Sequence, residues 1–196
     1  MFSGLEKIGI HKKPLTMGNL LPIIITGNRL PECRTERMEA MKTLILYATK
    51  HGAAREIARR IADRMDGAVL HDLEQADVPA LDLFDCVIVG SSLYAGMIRK
   101  EAKAFLSQNA DRLREKKLGL FLSGMDASRE KAYFDANCPP DVLKAAKAAA
   151  FLGGVFDPKK TGAMERFIMK AVAKQKGYSN IISDEKIKQF VEAMKE

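Results

Sequence analysis

Thr49, Lys50, His51, Gly52, Ala53 and Ala54 form a short turn of small and polar residues between an apolar run and a helical repeat. Backbone amides uncrowded by side chains, a hydroxyl and a helix start are the chemistry of anion capture. The unpaired N–H groups and the positive end of the helix dipole favour a phosphate there. A second set, Ser91-Ser92-Leu93-Tyr94-Ala95-Gly96-Met97-Ile98-Arg99, mixes small, apolar and aromatic residues. Leu93 and Tyr94 suit the face of a large flat amphipathic ring, and Gly96 admits torsions other residues resist and lets the main chain approach. Plain packing is the other use of Tyr94. Ser123 and Gly124, ahead of Met125 and Asp126, end a further apolar run and close the opposite side.

These loops need elements to hold them. Leu44, Ile45, Leu46 and Tyr47 have the near-continuous apolar character of a strand covered on both faces, and Ala54, Ile57, Ala58, Ile61, Ala62 and Met65 follow at helical spacing. Four more strands are expected at residues 68–71, 86–90, 118–123 and 149–155, with helical patterns between most of them. This alternation predicts an α/β chain: a doubly wound five-stranded parallel sheet in the order 2-1-3-4-5, with helices on both faces. Strands 1 and 3 are then neighbours, and the loops after them meet in the crevice beyond their carboxyl ends.

A phosphate site alone leaves several cofactors open. No G-x-x-x-x-G-K-[ST] is present and no G-x-G-x-x-G follows a strand, which argues against a P-loop hydrolase and a dinucleotide fold. Ile45-Leu46-Tyr47-Ala48-Thr49-Lys50-His51-Gly52-Ala53-Ala54, with Ala58 and Ile61, resembles the phosphate loop of the flavodoxins. The resemblance implies a flavodoxin-like fold and FMN as cofactor, the loop amides and hydroxyls holding its phosphate. It implies cofactor contacts at Thr49, Lys50, His51, Gly52, Ala53, Ala54, Ser91, Ser92, Leu93, Tyr94, Ala95, Gly96, Ser123 and Gly124. Ala54 stands where that family usually has threonine, a difference of one hydrogen bond worth roughly 1–3 kcal/mol.

Gly90 to Gly96, the helix that follows through Phe105, and Met164-Glu165-Arg166-Phe167-Ile168-Met169-Lys170 are similar to the menaquinone-dependent protoporphyrinogen oxidase branch of that superfamily. The likeness runs in outline over residues 42–196 and thins out from Met125 to about Pro140, where that branch carries an insertion after strand 4. It implies an FMN-dependent oxidoreductase of haem biosynthesis that takes electrons from protoporphyrinogen IX and passes them to a quinone. The flavin supplies the redox chemistry, so no acid–base pair is demanded and no catalytic residue is expected. Two alternatives stay open: a flavodoxin-like carrier handing electrons to a protein redox partner, and a flavin-free interaction domain.

Composition bounds the rest. The 196 residues, 47% apolar and 29% charged, suit one globular α/β domain. Cys33, Cys86 and Cys138 show no C-x-x-C spacing and His11, His51 and His71 are scattered, so neither a disulfide framework nor a metal site is expected, and a reducing, cytoplasmic setting fits. Cys86, inside an apolar strand, reads as a buried small hydrophobe. Residues 1–40, with Pro14, Pro22 and Pro31 and no sustained period, read as an irregular extension to a domain at 41–196. They are either a mis-assigned start ahead of Met41 or a partner-binding tail. Their run Leu20 to Ile25 is too short for a transmembrane helix or a signal-peptide core.

The chain carries +7 with a pI near 9.3. Residues 1–40 hold six basic and four acidic side chains, which leaves 26 and 21 in residues 41–196, a net of +5. Acidic flavodoxins dock on basic partners, whereas a basic domain favours anionic lipid at the inner face of the membrane or the propionates of a porphyrinogen. Met164, Phe167, Ile168, Ala171 and Val172 share one face of a late helix beside Arg166, Lys170 and Lys174. That amphipathic pattern suits packing on the sheet or peripheral membrane contact. Nucleic-acid binding is not expected, because aromatics are few and not interleaved with basic runs.

Overall fold

The computed structural model of the protein describes residues 41–75, 77–159, 162 and 177–196. The expected extension at 1–40 and the helix at 164–174 lie outside the described residues.

Strand β1 (Thr43–Ala48) shows how the sheet makes two cores. Leu44 and Leu46 face one side and Ile45 the other, all fully buried, because successive side chains of a strand point to opposite faces. β3 (Cys86–Tyr94), β5 (Lys117–Ser123) and β6 (Ala148–Phe151) also send side chains to both cores, while β2 (Val69–Asp72) is an edge strand with Val69 and Leu70 exposed. They pair in parallel in the order β2-β1-β3-β5-β6, with Leu46 opposite Val89 and Val89 opposite Leu120. Counted without β4, this two-residue antiparallel strand (Met97–Ile98), it is the expected order 2-1-3-4-5.

Helix α1 (Ala53–Ala62) buries Ala54, Ile57, Ala58 and Ile61, the positions at helical spacing. The last helix, α6 (Asp184–Lys195), covers the same face with Ile187, Phe190, Val191 and Met194. It starts at Ser183, whose hydroxyl accepts from the Lys186 N–H at 3.2 Å, and Asp184 in its first turn meets Arg60 at 3.0 Å and Arg64 at 3.3 Å on α1. On the opposite face lie α2 (Lys100–Gln108), α3 (Ala110–Arg114), α4 (Glu130–Asn137) and α5 (Pro140–Ala145), contributing Ala102, Phe105, Leu113, Phe134 and Val142.

Two expected boundaries are corrected. Residues 91–94 are strand rather than loop: β3 runs on to Tyr94, turns through Ala95 and Gly96, and returns as β4, with Leu93 opposite Ile98 and Tyr94 opposite Met97. Ala95 and Gly96 take φ of 48° and 81°, and positive φ at both central residues is the twist-matched way to close a two-residue hairpin. The fifth parallel strand stops at Phe151 instead of reaching Val155. Gly153 has φ of 91°, which breaks the strand, and the chain re-forms as β7 (Val155–Phe156) paired with β8 (Ser179–Asn180).

The outer edge of β6 is occupied by side chains. Glu130 accepts from the Phe151 N–H at 2.8 Å, and the Lys186 ammonium reaches the Phe151 carbonyl at 3.4 Å. Both backbone groups that would recruit another strand at this residue are thereby filled.

Candidate functional site

The carboxyl ends of β1, β3 and β5 converge on a cleft that is open to solvent on one side. The first wall is the turn after β1. Thr49 Oγ1 accepts from the Gly52 N–H at 3.0 Å, and Gly52, at φ 89°, turns the chain into α1 with its carbonyl accepting from the Glu56 N–H at 3.0 Å. The N-cap residue Gly52 has no side chain to cap α1, and the leading amides of a helix lack intrahelical partners, which leaves them for a ligand at the helix end.

The second wall is the β3–β4 hairpin. Ser92 Oγ accepts from the Lys50 N–H at 3.3 Å, tying it to the first wall, and the Lys50 ammonium sits 4.3 Å from the Tyr94 ring centre. Leu93, Tyr94 and Ala95 line the cleft beside Ser92. The third wall is Ser123, Gly124 and Met125 at the end of β5. Ser123 is 2% exposed, and its hydroxyl has no hydrogen-bond partner among the described residues.

Ten residues singled out in the sequence, Thr49, Lys50, His51, Ala53, Ser92, Leu93, Tyr94, Ala95, Ser123 and Gly124, thus line one cleft. Gly52, Ala54, Ser91 and Gly96 do not. Gly52 and Gly96 set turns. Ala54 is fully buried in the core with Ile45, Ile57 and Ala58, so its methyl offers the cleft no surface. Ser91 is turned inward, its hydroxyl accepting from the Arg99 N–H at 3.0 Å and donating to the Ser92 carbonyl at 3.2 Å.

Sequence reasoning missed the fourth wall, Gly154, Val155, Phe156 and Asp157. Its signal was the pair Gly153-Gly154 at the end of an apolar run, since glycine there marks a bulge or a close backbone approach. The Gly124 N–H donates to the Gly153 carbonyl at 3.1 Å, which brings the wall against the loop after β5.

Neither described cysteine lines the cleft. Cys86 and Cys138 are buried, and burial pushes both thiols up to about 11, which keeps them protonated and unreactive. Beside the third wall, the Ser128 hydroxyl and N–H hold the Asp126 carboxyl below its usual range. Among the described residues no group of three or more His, Cys, Asp or Glu side chains is placed to hold a metal ion, and no helix is long and apolar enough to cross a membrane.

A doubly wound parallel sheet with a cleft at its switch point, walled by a turn that opens a helix and by an apolar-aromatic hairpin, defines an α/β protein of the flavodoxin-like class. Residues 44–181 match the flavodoxin domain family, and the chain belongs to it. A curated relative, the protoporphyrinogen IX dehydrogenase [quinone] of Escherichia coli strain K12, is 34% identical over 80 residues. That match spans 37% of this chain and 42% of the relative, so less than half the length of the curated protein is covered. Among solved structures, a flavoprotein in complex with FMN from Lactobacillus acidophilus NCFM is 17% identical, with a TM-score of 0.43 over 58% of this chain and 91% of that one. A flavodoxin, WrbA-like protein from Agrobacterium tumefaciens is 17% identical, with a TM-score of 0.45 over 68% and 96%.

Proposed function

We propose that the cleft binds FMN and that the protein is an FMN-dependent oxidoreductase of the protoporphyrinogen oxidase type, passing electrons to a quinone. The observation that carries this reading is the cleft's division of chemistry. An uncapped helix start and the Thr49–Gly52 turn lie at one end, and Leu93 and Tyr94 offer an aliphatic and an aromatic face at another. The buried Ser123 hydroxyl, without a partner among the described residues, adds a polar group to the cleft wall. These residues fit a phosphate joined to a planar amphipathic ring. When bound, FMN supplies the redox centre.

The chain's own residues bind and orient. The amides of α1 and the turn hold the phosphate. Lys50, packed over Tyr94, keeps a positive charge at the cleft and favours anionic groups there. Leu93, Tyr94 and Phe156 exclude water from one side of the ring's environment. The net +5 of residues 41–196 suits a substrate bearing carboxylates and peripheral contact with anionic lipid. A cytoplasmic location agrees with the buried reduced thiols.

A second reading, an electron carrier for a protein partner, is favoured by the rim: Tyr94 and Met97 are 38% and 46% exposed beside the cleft. One series of assays separates the two. The protein is titrated with FMN, then assayed for quinone-dependent oxidation of protoporphyrinogen IX. Turnover supports the oxidase; FMN binding with reducible flavin but no turnover supports the carrier.

A further inference from the structure

Asn137, the last residue of α4, is 3% exposed and spends its whole carboxamide on backbone groups. Its Oδ1 accepts from the Ile98 N–H at 3.0 Å, and its Nδ2 donates to the Gly96 carbonyl at 2.9 Å and to the Tyr133 carbonyl at 2.8 Å. Two of the three partners lie in the β3–β4 hairpin, about forty residues away in sequence. A carbonyl at one residue and an N–H two residues on face the same edge of a strand. The Asn137 carboxamide offers one acceptor to β4 and one donor to the turn before it, much as the peptide group of a further strand would.

The hairpin needs such support. It has two cross-strand pairs, and a two-stranded hairpin is marginal by itself. Its turn holds Ala95 at φ 48°, a left-handed conformation that strains a residue with a Cβ. The same helix also reaches the third wall: the Tyr133 hydroxyl donates to Asp126 Oδ2 at 3.4 Å, next to Met125. α4 therefore stands behind two walls of the cleft.

We propose that Asn137 is the positioning residue of the cleft, holding the Ala95–Gly96 turn so that Leu93, Tyr94 and Ala95 face the ligand. The identity of that ligand rests on the reading above; the clamp itself does not.

The test uses the full chain with Asn137→Ala, Asn137→Asp, Gly96→Ala and the Asn137→Ala/Gly96→Ala double variant. In the ligand-free protein, amide exchange read by mass spectrometry is expected to rise at least tenfold over residues 94–99 in Asn137→Ala and to stay unchanged over β1 and β5. FMN affinity, read by quenching of flavin fluorescence, is expected to fall about 10-fold to 100-fold. Asn137→Asp keeps the acceptor for Ile98 but loses both donors, so it weakens FMN while slowing Ile98 exchange relative to Asn137→Ala. Because Gly96→Ala disturbs the same turn from the hairpin side, the double variant is expected to lose no more affinity than the worse single one.

Unchanged exchange over 94–99, exchange that rises evenly along the chain, or affinity losses that multiply would overturn the clamp. If Asn137→Ala does not fold, Asn137→Asp and its combination with Gly96→Ala carry the same comparison. If the parent chain takes no FMN, the functional reading falls and the exchange data alone decide: local acceleration upholds the clamp and its absence removes it.

Discussion

Gly154 packs so closely on Gly124 that a Cβ at position 154 would lie 2.5 Å from the Gly124 carbonyl oxygen. The obstacle is backbone on both sides, so no rotamer change relieves it. Gly154→Ala is expected to push the third and fourth walls apart and to cost about 1–3 kcal/mol by overpacking. A urea unfolding midpoint well below the parent's, together with at least tenfold weaker FMN binding, is the expected result. Parent-like values for both would mean the two loops are not locked together.

Ser123 makes the opposite kind of site. Its hydroxyl is buried without a partner among the described residues, and such a group costs roughly 1–3 kcal/mol until something pairs with it. Ser123→Ala is expected to raise the stability of the ligand-free protein by about 1 kcal/mol and to weaken ligand binding. A variant that is both less stable and unchanged in affinity would show that the hydroxyl has another use.

How far these features are legible in the sequence depends on which force sets them. The parallel sheet is legible because Leu44 to Tyr47 and Cys86 to Gly90 are apolar without a break, which only a strand covered on both faces needs. The first wall is legible because its turn sits where strand period gives way to helix period. The hairpin is not, since its direction is decided by the φ of Ala95, an alanine that nothing local marks for a left-handed turn. The fourth wall hides for a related reason: Gly153 leaves the strand at φ 91°, where the Ile181 carbonyl, 28 positions away, lies so close that no residue with a Cβ would fit. Tertiary contact overrides local pattern in both cases.

Tyr94 should matter for its ring rather than its hydroxyl. The Lys50 ammonium lies 4.3 Å from the ring centre, an interaction of about 0.5–1 kcal/mol at exposed sites. Tyr94→Phe is expected to retain FMN affinity within threefold. Tyr94→Ala is expected to lose tenfold or more, because the planar face of the hairpin goes with it. Equal effects of the two would assign the role to the hydroxyl.

The two buried thiols give the pH dependence a definite sign. Burial raises Cys86 and Cys138 from 9.0 to about 11, so between those values the unfolded chain loses protons that the folded chain keeps. Stability therefore falls as pH rises through that window and is independent of these groups below it. Urea midpoints measured from pH 8 to pH 11 should decline, and the decline should shrink in Cys86→Ala and Cys138→Ala. A flat profile in the parent chain would contradict the buried placement.

The central claim is that the cleft at the ends of β1, β3 and β5 holds FMN. Its most direct measurement is a titration of the purified protein with FMN, followed by visible absorption and flavin fluorescence, with any flavin released on denaturation quantified. Saturable binding near one FMN per chain, weakened in Tyr94→Ala and Gly154→Ala, is expected. No binding at saturating FMN, or binding indifferent to both substitutions, would leave a flavodoxin fold whose cleft serves another ligand or none.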